Sequence, residues 1–149
     1  MLITKAQKNQ GCFKVMILRA QNTYMSENEL SKIIVNTAFL IHAKLGPGLL
    51  ESVYEEIMFY ELTKLGLSVE RQKGITVVWD NVKMDSGFRA DLIVENKVIV
   101  ELKSIETIAP VHSKILLTYL RVTDLKLGLL INFGEELIRN GIKRVANSL

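Results

Sequence analysis

Apolar residues recur at Leu30, Ile33, Ile34, Ala38, Ile41 and Leu45, the spacing that gathers them on one face of an amphipathic helix. Just ahead of them Ser26 and Glu29 spell S-x-x-E, a capping box in which each side chain satisfies a free backbone donor at the helix start. Residues 1–24 show no sustained period of either kind. The domain is therefore expected over residues 26–149, with 1–25 as a poorly ordered N-terminal extension. A short strand or helix at 13–19, packed on the domain, is the alternative.

Gly46-Pro47-Gly48 ends the first helix, because proline disfavours helical geometry in the residue before it. A second helix is expected from Leu49 to Leu65, closed by Gly66. Beyond it the period changes. Val69 to Trp79 is rich in β-branched residues, Asp80-Asn81 is turn chemistry, and Phe88–Val94 and Lys97–Leu102 are strand-like runs around Glu95-Asn96. Pro110 opens a helix through Thr123, and Lys126–Phe133 is a short, almost wholly apolar strand of the fully buried kind. The last segment, Glu135–Asn147, fits either a short helix or an edge strand. The order α-α-β-β-β-α-β predicts an α/β domain: a mixed sheet with helices packed on it.

Composition narrows the class. With 149 residues, 48% hydrophobic and 23% charged, the chain can build one core without disulfides or metals, and bulk disorder is excluded. A single cysteine, Cys12, rules out an internal disulfide and a cysteine-built zinc site. No apolar stretch approaches the ~18 residues that suggest a membrane span. Val15-Met16-Ile17-Leu18, stopped by Arg19, falls short of the ~7–15 residues of a signal-peptide core. No membrane association and a cytoplasmic location are expected. The net charge of +3 allows a polyanionic partner without demanding one.

Two acidic residues interrupt apolar strands: Asp91 in Arg89-Ala90-Asp91-Leu92-Ile93-Val94, and Glu101 in Val98-Ile99-Val100-Glu101-Leu102-Lys103. Charged groups are rarely buried unless paired or bound to metal. Alternation puts Glu101 and Lys103 on one face. A two-residue turn at Glu95-Asn96 would pair Asp91 with Val100. A three-residue turn centred on Asn96 would pair Asp91 with Glu101, and it is favoured because asparagine tolerates the left-handed conformation. Opposed carboxylates repel unless a positive charge lies between them. Lys103 can supply it as a structural ion pair, and a divalent cation such as Mg²⁺ can supply it as a metal site.

Gly48-Leu49-Leu50-Glu51-Ser52-Val53-Tyr54 reads G-x-x-E-x-x-Y. Together with the Arg-Ala-Asp strand, the Val-Glu-Leu-Lys strand, the Pro-Val-His helix opening and the Gly-Leu-Leu-Ile-Asn-Phe strand, it resembles the GxxExxY family of small prokaryotic proteins. That family lies within the PD-(D/E)XK nuclease-like superfamily, and the resemblance runs from about Ser26 to Asn147. It implies a restriction-endonuclease-like α-β-β-β-α-β core and hydrolysis of phosphodiester bonds in nucleic acid. Asp91 and Glu101 would bind Mg²⁺ or Mn²⁺, Lys103 would orient or activate water, and Glu51 would add a third acidic ligand. The catalytic set would thus be Asp91, Glu101 and Lys103. Glu51 in the first turn of a helix is also favoured by the helix dipole alone, and Tyr54 fits a core aromatic as well as a substrate contact.

Many members carry a glutamine four residues before a tyrosine in the helix after the Glu-x-Lys strand. Here Tyr119 is present and the earlier position is Ile115. His112 lies one turn ahead on the same stripe and Lys114 one residue round, so either can supply the donor that isoleucine lacks. Tyr54, Arg89, His112, Lys114 and Tyr119 are the candidate substrate contacts. Arg71, Lys73, Arg89, Lys114, Arg121, Lys143 and Arg144 can track phosphates or merely solubilise the surface. His42 and His112 are too far apart in sequence for a zinc motif, and no G-x-x-x-x-G-K-[ST] follows Gly46 and Gly48.

Overall fold

The computed structural model describes residues 24–149, leaving the side chain of Ser86 aside. The expected extension and the alternative element at 13–19 lie almost entirely outside the described residues. Met25, assigned to that extension, is buried in the core and belongs with the domain.

Helix α1 spans Glu27–Leu45 and begins with the expected box: Glu29 N–H donates to Ser26 Oγ at 3.3 Å, and Ser26 N–H donates to Glu29 Oε2 at 3.0 Å. Helix α2 (Glu51–Lys64) starts two residues later than the sequence suggested, because Gly46 and Gly48 adopt positive φ and the chain stays extended through Leu50. Gly66, at φ 88°, ends α2 as expected.

Among the described residues, five strands form one sheet in the order β1-β2-β3-β4-β5: Val69–Trp79, Val82–Val94, Val98–Lys103, Leu127–Asn132 and Ile142–Ala146. Strands β3 and β4 are parallel and joined through α3 (Pro110–Thr123), while the other neighbours are antiparallel. Strand β2 starts at Val82, earlier than the expected Phe88, so β1 and β2 make a long hairpin whose far end is exposed. The ambiguous last segment contains both candidates, a short 3₁₀ turn at Ile138–Gly141 followed by β5.

Alternating residues of the central strands feed two cores. Leu92, Val94, Val98, Val100, Leu102, Leu129 and Ile131 pack with α1 and α2, whereas Ile93, Ile99 and Leu130 pack with Leu116 and Leu120 of α3. Helix α3 lies directly on β4 at Gly128, where an added Cβ would sit 2.8 Å from Leu116. Both layers thus converge on β3 and β4; Glu101 and Lys103 lie at the end of β3, beside Asp91 on β2.

Candidate active site

The turn between β2 and β3 has the expected three residues, pairing Val94 with Val98. Glu95 and Asn96 both take positive φ, and Lys97 N–H closes the turn on Val94 O at 3.0 Å. Counted from there, Asp91 falls opposite Glu101. The backbone ladder itself stops one step short, at Leu92 and Val100. Side chains take the next donors: Leu102 N–H donates to Asp91 Oδ2 at 2.8 Å, and Asp91 N–H donates to Glu101 Oε1 at 3.2 Å. Each strand's backbone is therefore held by the other's carboxyl group.

Strand β2 is irregular at the same point. Its ladder with β1 pairs Arg71 with Leu92 and Lys73 with Ala90, skipping Gln72 and Asp91 between them. Ala90 and Ile93 share the α3-side core although an unbroken pleat would put them on opposite faces. Gln72 takes φ 47°, a left-handed conformation that costs a non-glycine residue roughly 1–3 kcal/mol. Arg89 Nη1 donates to its carbonyl at 2.9 Å. Local irregularities of this kind re-aim side chains, and here the one re-aimed is Asp91.

Burial and the neighbouring Asp91 push the Glu101 carboxyl up to about 8, only partly countered by the Asp91 N–H and by Lys103. Glu51, the first residue of α2, is also raised, chiefly by burial; Lys103 and the Ser104 N–H oppose the rise, and Asp91 adds to it. Tyr119 is raised by burial and by both carboxylates, and its ring stacks on Phe88 at 3.7 Å between centroids. Asp91, Glu101, Lys103, Glu51 and Tyr119 therefore share one electrostatic neighbourhood.

They do not all converge. Among the described residues no three of His, Cys, Asp and Glu gather closely enough to form a ready metal-ligand set. Of the expected triad, Asp91 and Glu101 are joined by hydrogen bonds, and Glu51 is coupled to Asp91 through its charge. Glu101 is engaged by the Asp91 N–H, while Glu51 is engaged by the Ser104 N–H. The pair still suits a hard divalent cation, which takes one or two carboxylates with water completing its shell. Two adjoining carboxyl groups, with Glu101 raised by burial and by the charge of Asp91, are a donor set that such a cation would relieve.

Tyr54 needs a correction. It is fully buried, stacked on Phe133 at 4.4 Å, with its hydroxyl donating to Gly46 O at 2.6 Å and accepting from Leu49 N–H at 3.2 Å. It cannot touch a substrate; it fixes the loop that delivers Glu51 to the start of α2. Ser104 Oγ, donating to Leu49 O at 2.6 Å, ties the same loop to the residue after Lys103. On the other side, buried Asn132 accepts from Ile105 and Gly134 N–H and donates to Ile105 O, and Phe133 N–H donates to Lys103 O. Only glycine fits at 134, since an added Cβ would lie 2.1 Å from Ile105 O. The Asn-Phe-Gly end of β4 thus clamps the backbone that carries Lys103.

His112 Nδ1 accepts from Ala109 N–H at 3.0 Å and so caps its own helix. Lys114 and Ile115 are exposed on α3, and Ile115 is 42% exposed, so this position does not serve the core. Among the candidate phosphate contacts, Arg71 is held by Glu55 at 3.3 Å, Lys73 by Glu70 at 2.8 Å, and Arg144 donates to Asn28 Oδ1 at 2.6 Å. Two residues escaped the sequence reading. Buried Glu55 accepts from Arg71 Nε and from Gln72 Nε2, and Gln72 Nε2 also donates to Asp91 Oδ1 at 3.2 Å. A helix glutamate reads as surface charge and a strand glutamine as nothing, so no local signal marks either.

A mixed sheet flanked by helices, with an Asp strand beside a Glu-x-Lys strand, defines an α/β domain of restriction-endonuclease-like architecture. A family model of the PD-(D/E)XK nuclease superfamily matches residues 28–145, and the chain belongs to that superfamily. Neither the curated proteins nor the solved structures returned a match.

Proposed function

We propose that this chain is a Mg²⁺- or Mn²⁺-dependent nuclease of the GxxExxY type, acting on DNA or RNA in a prokaryotic cytoplasm. The observation that carries the reading is the reciprocal Asp91–Glu101 pair, with the Lys103 charge acting on it from the same strand end. Asp91 and Glu101 would hold the cation. When bound, it would polarise a phosphoryl oxygen and ease deprotonation of water. Lys103 offsets negative charge that grows on the phosphoryl group, and Glu51, near Lys103, helps orient its ammonium. Exposed Lys114 and Arg89 would contact a phosphate, and the partly buried Tyr119, coupled to Glu101 and Asp91, would contact a base.

A second reading, a nuclease fold that binds nucleic acid without cutting it, draws on the lack of a gathered three-residue acidic set among the described residues and on Ile115. A cleavage assay on single-stranded, duplex and branched DNA and RNA with Mg²⁺ or Mn²⁺ separates the two. Cleavage that disappears in Lys103→Ala supports the nuclease. Salt-sensitive binding with no product under any metal supports the binding module.

A further inference from the structure

Gln72 sits mid-strand in a left-handed conformation, φ 47°, that strand residues avoid. Its carbonyl is caught by Arg89 Nη1, and its carboxamide turns towards the helix layer. There one nitrogen serves two carboxylates, Glu55 Oε2 at 2.7 Å and Asp91 Oδ1 at 3.2 Å. Glu55 is buried and tied to Arg71, so Gln72 is anchored on the side away from Asp91. The other Asp91 oxygen already accepts from Leu102 N–H.

We propose that Gln72 is a positioning residue for Asp91, one that fixes the rotation of its carboxylate for a divalent cation through a chain running Arg71, Glu55, Gln72, Asp91. Asp91 lies outside the regular pairing with β1, so backbone geometry alone leaves its side chain loosely specified. Leu102 N–H fixes one oxygen, and Gln72 fixes the other. Each oxygen keeps a lone pair for metal, since a carboxylate offers about four acceptor sites. Groups that hold metal ligands in this way commonly alter affinity by about 10–100-fold when removed. The strain at Gln72 is explained by the same arrangement: the left-handed backbone is what brings the amide of an exposed strand residue between two carboxylates.

This inference rests on the metal-dependent reading, and calorimetric titration of the full chain with Mn²⁺ separates the two. Gln72→Gly removes the amide while suiting the left-handed backbone, so the metal-free melting temperature should hold or rise. Its Mn²⁺ affinity should fall by about 10–100-fold. If Gln72→Gly fails to fold, Gln72→Asn is read the same way, because asparagine accepts this backbone and its amide falls one methylene short. Wild-type affinity in the folded variant overturns the positioning role and leaves the nuclease reading standing. A wild-type chain that binds no Mn²⁺ overturns both.

Discussion

The β2–β3 hairpin has two unlike ends. Near the turn, Leu92, Ile93, Val94, Val98, Ile99 and Val100 are buried, apolar and paired backbone to backbone. One step further, backbone pairing gives way to carboxyl groups that accept from the opposite strand, and Glu101 is held far from its ordinary protonation range. The first end stabilises the sheet through burial at about 25 cal/mol per Å² of apolar surface. The second opposes it by crowding acidic groups where water is scarce. A domain that needed only stability would continue the apolar pattern. The charged end costs free energy that folding alone does not explain, and under the proposed function a bound cation would offset it.

The contrast breaks if substitutions at the two ends behave alike. The largest effect is expected on activity: Lys103→Ala or Asp91→Asn should lower cleavage by at least about 100-fold, read from initial rates, while urea unfolding changes little. Leu102→Ala, adjacent in sequence but facing the α1–α2 core, should do the reverse. It should cost about 2–5 kcal/mol in urea unfolding, with rates at low temperature largely retained. Tyr54→Phe should fall between, losing about 1 kcal/mol with its two hydroxyl contacts and lowering activity through the displaced Glu51 loop.

Much of this was legible beforehand. The Ser26–Glu29 box, the glycine break and the wholly buried fourth strand each followed from local chemistry that tertiary contacts reinforced. The register of the central hairpin followed from Asn96 tolerating a left-handed turn. The role of Tyr54 did not follow, because its hydroxyl contacts depend on how the Gly46–Leu49 loop folds back over the ring. Glu55 and Gln72 stayed invisible for a related reason. Their meaning lies in a contact among α2, β1 and β2 that has no sequence period. The hydrogen bond that Glu51 accepts from the Ser104 N–H is likewise tertiary, since the loop after Lys103 presents that donor to it.

A smaller effect sharpens the comparison through pH. Because the folded state raises Glu101 from 4.5 to about 8, it binds that proton more tightly than the unfolded chain does. Between those values the unfolded chain releases the proton first, so metal-free stability should fall as pH rises and level off above about 8. Raised Glu51 adds to the same slope. Glu101→Gln should flatten the fall, by at most a few kcal/mol across the window, in urea titrations at stepped pH. The smallest effect belongs to Ile115→Gln. This exposed position should leave stability within about 0.5 kcal/mol and leave cleavage unchanged or modestly faster.

The most direct test of the charged end as a metal site is the melting temperature with and without millimolar Mn²⁺, taken at mildly acid pH and again near pH 8. Ligation requires deprotonated carboxylates, so Mn²⁺ should raise the melting temperature by several degrees near pH 8 and little in acid, and Asp91→Asn should abolish the gain. A wild-type melting temperature indifferent to Mn²⁺ at both pH values would contradict the account and leave the Asp91–Glu101 pair a structural feature of the hairpin.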